Sequence, residues 1–197
     1  SNTGNPTNGA NTSNTGNPTN GANTSNMRKR KNNKIGDFDI NLYNQLPASK
    51  VKELIDEITD IEALQFPFAT SFLFRSLIEV TMDEYLRRNL NTVHSSFPNY
   101  FIDSNNKVVS KFEDYKTQKT TIKDIPIRKK IDDFKKHFIK LSLYDKRSLN
   151  DLDKLALFID DLNLSIHWGD KRVSYDALKT HWINSNFFLR FLCERIK

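Results

Sequence analysis

The stretch 68–90 is the most apolar part of this chain, and its apolar residues do not keep to one face. Phe68, Phe72, Leu73, Leu77, Ile78, Val80, Met82, Tyr85 and Leu86 recur at helical spacing yet cover more than a single stripe. A helix that is apolar on several sides is stable in water only when other elements cover it. The rest of the chain supplies such covers. Residues 49–64 place Val51, Leu54, Ile55, Ile58 and Ile61 on one stripe, and residues 127–143 do the same with Ile127, Ile131, Phe134, Phe138 and Leu141. Residues 148–163 turn Leu152, Leu155, Ala156 and Ile159 inward. A last helix from Ser174 carries Leu178, Trp182, Phe187, Phe188, Phe191, Leu192 and Ile196. The expected fold is all-α, a helical bundle of about five main helices.

Local signals mark the ends. Ser49 and Ser174 are suited to cap helices, Ser148 with Asp151 reads as a capping box, and Pro67 suits a first helical turn. Ser95-Ser96-Phe97-Pro98 closes the central helix. Residues 100–102 and 107–109 then flank a polar turn, so a small β-hairpin or irregular insertion is expected near 99–110.

The N-terminus cannot join this core. Residues 1–12 recur identically as 13–24, without a charge or a large apolar side chain, and such a tract cannot offset the entropy of ordering. Residues 1–26 therefore read as a disordered tandem-repeat linker or tag. Residues 27–46 read as a basic tail and extended segment, and 47–197 as a single helical domain.

The net charge of +6 lies wholly after the repeat. Part of it sits in Arg28, Lys29, Arg30, Lys31 and Lys34, which can contact nucleic-acid phosphates without sequence preference or simply be solvated. A second basic run is Arg128, Lys129 and Lys130. The one cysteine, Cys193, rules out a disulfide within the chain and favours a reducing compartment. No apolar run approaches the ~20 residues that span a bilayer, so no membrane partner is expected, and a cytoplasmic location is.

Strong chemical motifs are absent: there is no Gly-rich phosphate loop, His-Glu-x-x-His helix or Gly-x-Ser-x-Gly elbow. No two of His94, His137, His167 and His181 share metal-ligand spacing on one helix, and no cofactor or metal is expected. Ile166-His167-Trp168-Gly169 stands out. Four of the chain's six glycines lie in the repeat, so Gly169 is a scarce residue placed beside a histidine at a helix end. His167, Gly169 and Trp182 read as a structural corner between the last two helices.

That segment resembles the end of the Arg-x(4–6)-His motif of helical HEPN domains. The run from Leu162-Asn163 through His167, Leu178, Trp182 and Phe188-Leu189 is also similar to the C-terminal helical segment of prokaryotic ParB-like or phage-defence-associated proteins, and Phe72 to Glu79 is similar to their central helix. The resemblance implies a ribonuclease chemistry in which an arginine stabilises phosphate charge and a histidine moves a proton to or from a ribose 2′-hydroxyl. The chain departs from it where the arginine belongs, because Asp160, Asp161 and Leu162 precede His167. Arg75 or Arg172 would have to supply the charge. Arg88-Asn89-x4-His94 fits the loose spacing better, with the helix ending directly after it.

The resulting expectation is a noncatalytic HEPN-like interaction domain of a prokaryotic defence or mobile-element system, binding a protein partner or forming a homodimer. A dimeric, metal-independent ribonuclease using Arg88 and His94, or Arg75 and His167, is the first alternative. A module binding RNA or DNA through its basic residues is the second.

Overall fold

The computed structural model describes residues 33–109, 120–168 and 173–197, with the side chains of 91 and 164–168 outside the description. It is an all-α bundle with one two-stranded antiparallel sheet. In order come α1 (Ile40–Gln45), α2 (Lys50–Asp60), α3 (Pro67–Arg88), α4 (Leu90–Val93), β1 (Phe101–Ile102), β2 (Thr121–Ile122), α5 (Ile127–Leu141), α6 (Lys146–Trp168) and α7 (Tyr175–Cys193). The five longer helices are the five the apolar stripes mark out.

Helix α3 is the centre. It packs on α2 on one side and on α7 on another, α7 packs on α6, and α6 packs on α5. Aromatic rings close the circuit. Phe134 of α5 lies 5.5 Å from Tyr85 of α3 and 5.6 Å from Phe188 of α7, ring centre to ring centre. Phe138 meets Phe191 edge-on at 4.7 Å. Offset and edge-on pairs of this kind add about 0.5–1.5 kcal/mol each beyond the area they bury. Within α3 the core side is held by Phe74, Leu77, Ile78, Met82, Tyr85 and Leu86. Phe68, expected among them, is instead 47% exposed, and Phe74 fills the interior. Buried Thr70, Ser71 and Thr81 satisfy their hydroxyls on carbonyls one turn back, at 2.6–2.8 Å.

The segment before Pro47 departs from expectation. It is not extended throughout, because Ile40–Gln45 is helical. Asp39 caps it, its carboxylate accepting from the backbone N–H groups of Asn41 and Leu42 at 3.0 and 3.2 Å. Two otherwise orphaned donors are thereby satisfied, which stabilises a helix too short to form alone. The turn places Leu42 and Leu46 in the core beside Ile35. Gly36 has φ +153, and a Cβ there would come within 2.9 Å of the Trp182 indole nitrogen. Only glycine allows this backbone to lie against that ring.

Two caps also differ. Ser49 precedes α2 but makes no side-chain cap bond. Helix α6 begins two residues before Ser148, and its cap is Asp145, whose carboxylate accepts from the Ser148 N–H at 2.8 Å. That bond holds the Asp145 carboxyl below its usual range. Ser174 does cap α7, accepting from the Ala177 N–H at 3.2 Å.

Near 99–110 the chain turns back as expected, with an isolated bridge from Ile102 to Val108. The ladder partner of β1 is more distant: Phe101 pairs with Ile122, and Ile102 with Thr121. No described helix is long and apolar enough to cross a membrane.

Candidate functional site

The arginines and histidines nominated by the sequence fall in three places. Arg75 and Glu79, four apart on α3, face each other at 3.5 Å with side chains 28% exposed. Glu79 also lies 3.7 Å from the Lys130 ammonium, which Asp83 holds at 2.8 Å. Arg75 keeps an enclosed Nε without a hydrogen-bond partner, and it borders a shallow dimple with Phe68, Phe72 and Leu162. Leu162 is on α6, upstream of His167 in the last turns of that helix. The side chain of His167 lies outside the described residues, as do Gly169 and Arg172. Trp182, the third corner residue, is buried and meets Phe74 edge-on at 5.6 Å.

Arg88 ends α3, and its Nε donates to Glu84 at 2.6 Å. The adjacent Asn89 turns its amide inward, donating to the carbonyls of Tyr85 at 2.9 Å and Arg195 at 3.2 Å. It ties the end of α3 to the end of α7. His94 follows α4, half-buried, with its backbone N–H on the Leu90 carbonyl.

The basic runs are less available than their sequence implies. Arg28, Lys29, Arg30 and Lys31 lie outside the described residues, and Lys34 pairs with Asp60 at 3.0 Å. Arg128 bonds Asp160 at 2.6 Å and Asp132 at 3.3 Å, and Lys129 bonds Asp133 at 3.0 Å. Lys130 is 2% exposed, as part of the core. Asp160, one of the acids standing where the resemblance calls for an arginine, thus has a partner on α5.

Two of the depressions among the described residues lie at the start and the end of α5 and have polar walls. The larger, about 600 Å³, runs between the 96–100 turn and the start of α5 and is balanced in charge by Lys123, Asp124, Lys129 and Asp133. Tyr100 donates its hydroxyl to Asp133 at 3.0 Å. Burial, reinforced by that carboxylate, raises the phenol far above its usual range. Burial also disfavours the Asp133 charge, but hydrogen bonds from Lys136, Lys129 and Tyr100 outweigh it and lower its pKa.

The second, about 380 Å³, lies between α4 and the ends of α5 and α7. Its walls include His137, Lys140 and Arg195. His137 is 5% exposed and its Nδ1 has no hydrogen-bond partner. Burial, and after it the Lys140 ammonium, lowers its pKa, so the neutral imidazole is favoured. Sequence reasoning did not single out these three residues. The signal was His137 and Lys140 at i, i+3 spacing, and it was masked by assigning Leu141 to the core stripe. Leu141 is 49% exposed and forms part of the cleft wall. Ser142 produces the turn. Its φ of 51° lets Leu143 donate back to the Phe138 carbonyl at 3.2 Å, closing α5 and folding Leu143 onto the cleft.

Among the described residues no group of three or more His, Cys, Asp or Glu could hold a metal ion. Cys193 is fully buried, and burial pushes its thiol up to about 12. No family model matches the chain, and no curated protein or solved structure is significantly similar to it.

Proposed function

We propose that this chain is a noncatalytic, HEPN-like helical interaction domain that binds a partner protein or a second copy of itself. A prokaryotic defence or mobile-element setting is part of the proposal and comes from the resemblance in its helices. The observation that carries the interaction reading is the corner between α2 and α3. Leu64, Phe66 and Phe68 are 48%, 50% and 47% exposed there, three large apolar side chains within five residues. Phe68 packs edge-on against Phe72 at 4.9 Å, so part of this apolar surface is already ordered. Large apolar side chains held exposed so close together in the chain suit a contact with something else.

The ordering of the nominated arginines supports the noncatalytic half. Arg88 is held by Glu84, and Arg75 faces Glu79. A phosphate would have to displace a carboxylate from either.

Sedimentation velocity over a range of concentrations tests the contact. Association is expected, and the double substitution Phe66→Ser with Phe68→Ser is expected to abolish it while leaving the helical circular dichroism intact. A wild-type chain that stays monomeric, and whose patch cross-links to nothing, overturns the reading. In EDTA the chain is expected to leave RNA uncut. Cleavage that disappears in His94→Ala or His167→Ala would establish the ribonuclease instead.

A further inference from the structure

The cleft between α4, α5 and α7 has the chemistry of an anion site, and this inference stands apart from the interaction reading. Its walls carry two cations, Lys140 and Arg195, and no carboxylate among the described residues. Arg195 lies over the Phe191 ring at 3.8 Å and donates to the Phe191 carbonyl at 3.1 Å, which fixes its position. The carboxylate that approaches it, Glu194, is 3.9 Å away and bonds Arg190 more closely at 3.0 Å. Two turns before Lys140 on α5, Asp133 is engaged by Lys129, Lys136 and Tyr100. Lys140 thus has no ion pair among the described residues, and Arg195 has only the long one to Glu194.

Two further features suit a ligand. Ser95 and Ser96 are among the wall residues, and beside them His137 has a nearly enclosed imidazole with an unpartnered Nδ1. Buried polar atoms are normally partnered, so an enclosed Nδ1 without a partner beside the cleft is an unmet hydrogen-bonding group. Beside these polar groups stand Leu141 and Leu143, 49% and 40% exposed. Water-facing leucines and two cations lining one cleft suit a molecule with an anionic end and an apolar face. A volume of about 380 Å³ lies within the range of small-ligand pockets, at its lower end.

We infer that this cleft binds a phosphate monoester carrying a planar group, with a mononucleotide as the class that fits. Lys140 and Arg195 take the phosphate, Ser95 and Ser96 hydrogen-bond its oxygens, and the base lies against Leu141 and Leu143.

Isothermal titration of the full chain with adenosine monophosphate, inorganic phosphate and adenosine is the test. The nucleotide is expected to bind tightest, phosphate about tenfold or more weaker, and adenosine weakest, because charge-assisted bonds dominate and the base adds to them. Lys140→Ala and Arg195→Ala are each expected to weaken the nucleotide about tenfold. Lys136→Ala, an exposed lysine on the same helix bonded to Asp133, is expected to leave binding unchanged. His137 imidazole resonances should move on addition of the nucleotide. Lys140 is exposed, so Lys140→Ala decides the matter if Arg195→Ala fails to fold. Absence of binding by both nucleotide and phosphate, or binding unaffected by Lys140→Ala, overturns the inference. Equal affinity for phosphate and nucleotide overturns the mononucleotide assignment, as does a single-stranded oligonucleotide that binds where the mononucleotide does not.

Discussion

The two ends of α5 carry similar charge and use it in opposite ways. At its start Arg128, Lys129 and Lys130 each meet at least one carboxylate. At its end Lys140 faces a cleft whose walls, among the described residues, hold none. A basic run in a sequence is therefore not a basic surface. What matters is which acids the fold delivers to it. Asp160 reaches Arg128 from α6, and Asp83 reaches Lys130 from α3. The start of α5 is a structural joint between helices, while the end keeps its charge for something outside the chain.

The strongest way to break this contrast is at Lys130. Its side chain is 3% exposed, Asp83 is 2.8 Å away, and Glu79 is 3.7 Å away. Removing Asp83 leaves the Lys130 charge in low dielectric with only the longer contact to Glu79. Asp83→Asn is expected to destabilise the fold by about 3 kcal/mol in urea unfolding. Lys130→Met, which removes the charge and keeps the volume, should be much milder. Equal losses from the two would mean that the pair contributes packing rather than charge balance.

A smaller effect comes from protons. Burial lowers the pKa of His137 below its ordinary 6.5, with Lys140 adding to it. Burial lowers His181 likewise, with Lys154 second, and its ring stacks on Phe158 at 4.1 Å. The unfolded chain then takes up protons that the folded chain refuses. Stability is therefore full above about pH 6.5 and falls as pH drops through the lowered folded values. Urea midpoints measured across this window should decline toward acid, and His137→Gln should flatten part of the slope. A midpoint independent of pH between neutrality and pH 5 would contradict the burial of both rings.

How much of this was legible follows from distance along the chain. The helices were, because a 3.6-residue repeat of apolar side chains is local, as is the Arg75–Glu79 pair. Helix α1 was not. It is only 6 residues long, too short to show a repeat, and it rests on a carboxylate at Asp39 and on burial of Leu42. Asp145 was overlooked as a cap because Ser148 with Asp151 offers the more familiar spacing. Lys130 reads as part of a basic run and His137 as one of four histidines until α3 and the 93–97 turn are folded against them. The cleft draws on residues 85–96, 137–143 and 191–195, and no local pattern joins those three segments. The resemblance-based candidates divide similarly. Arg88 is engaged by Glu84 at a local i,i+4 spacing, Asn89 by a cross-helix contact to Arg195 that spacing cannot foresee, and the His167 side chain lies outside the described residues.

Among surface pairs the contrast should shrink to tenths of a kcal/mol. Arg128 sits at 36% exposure between Asp132 and Asp160. Arg128→Ala should cost about 0.5–1 kcal/mol, and less at high salt, since exposed pairs are screened. Lys140 makes the limiting case. It has no ion pair within 4.0 Å among the described residues, and its positive charge opposes protonation of His137. Lys140→Ala is expected to shift stability by no more than about 0.5 kcal/mol. It should also raise the His137 pKa, read by NMR titration of the imidazole. A clear loss of stability would show that Lys140 supports the fold as Lys130 does, and the two ends of α5 would then be alike. Unchanged stability with a raised imidazole pKa would leave Lys140 as a charge that the fold tolerates next to a buried histidine. That is the behaviour expected of a residue whose partner is a ligand.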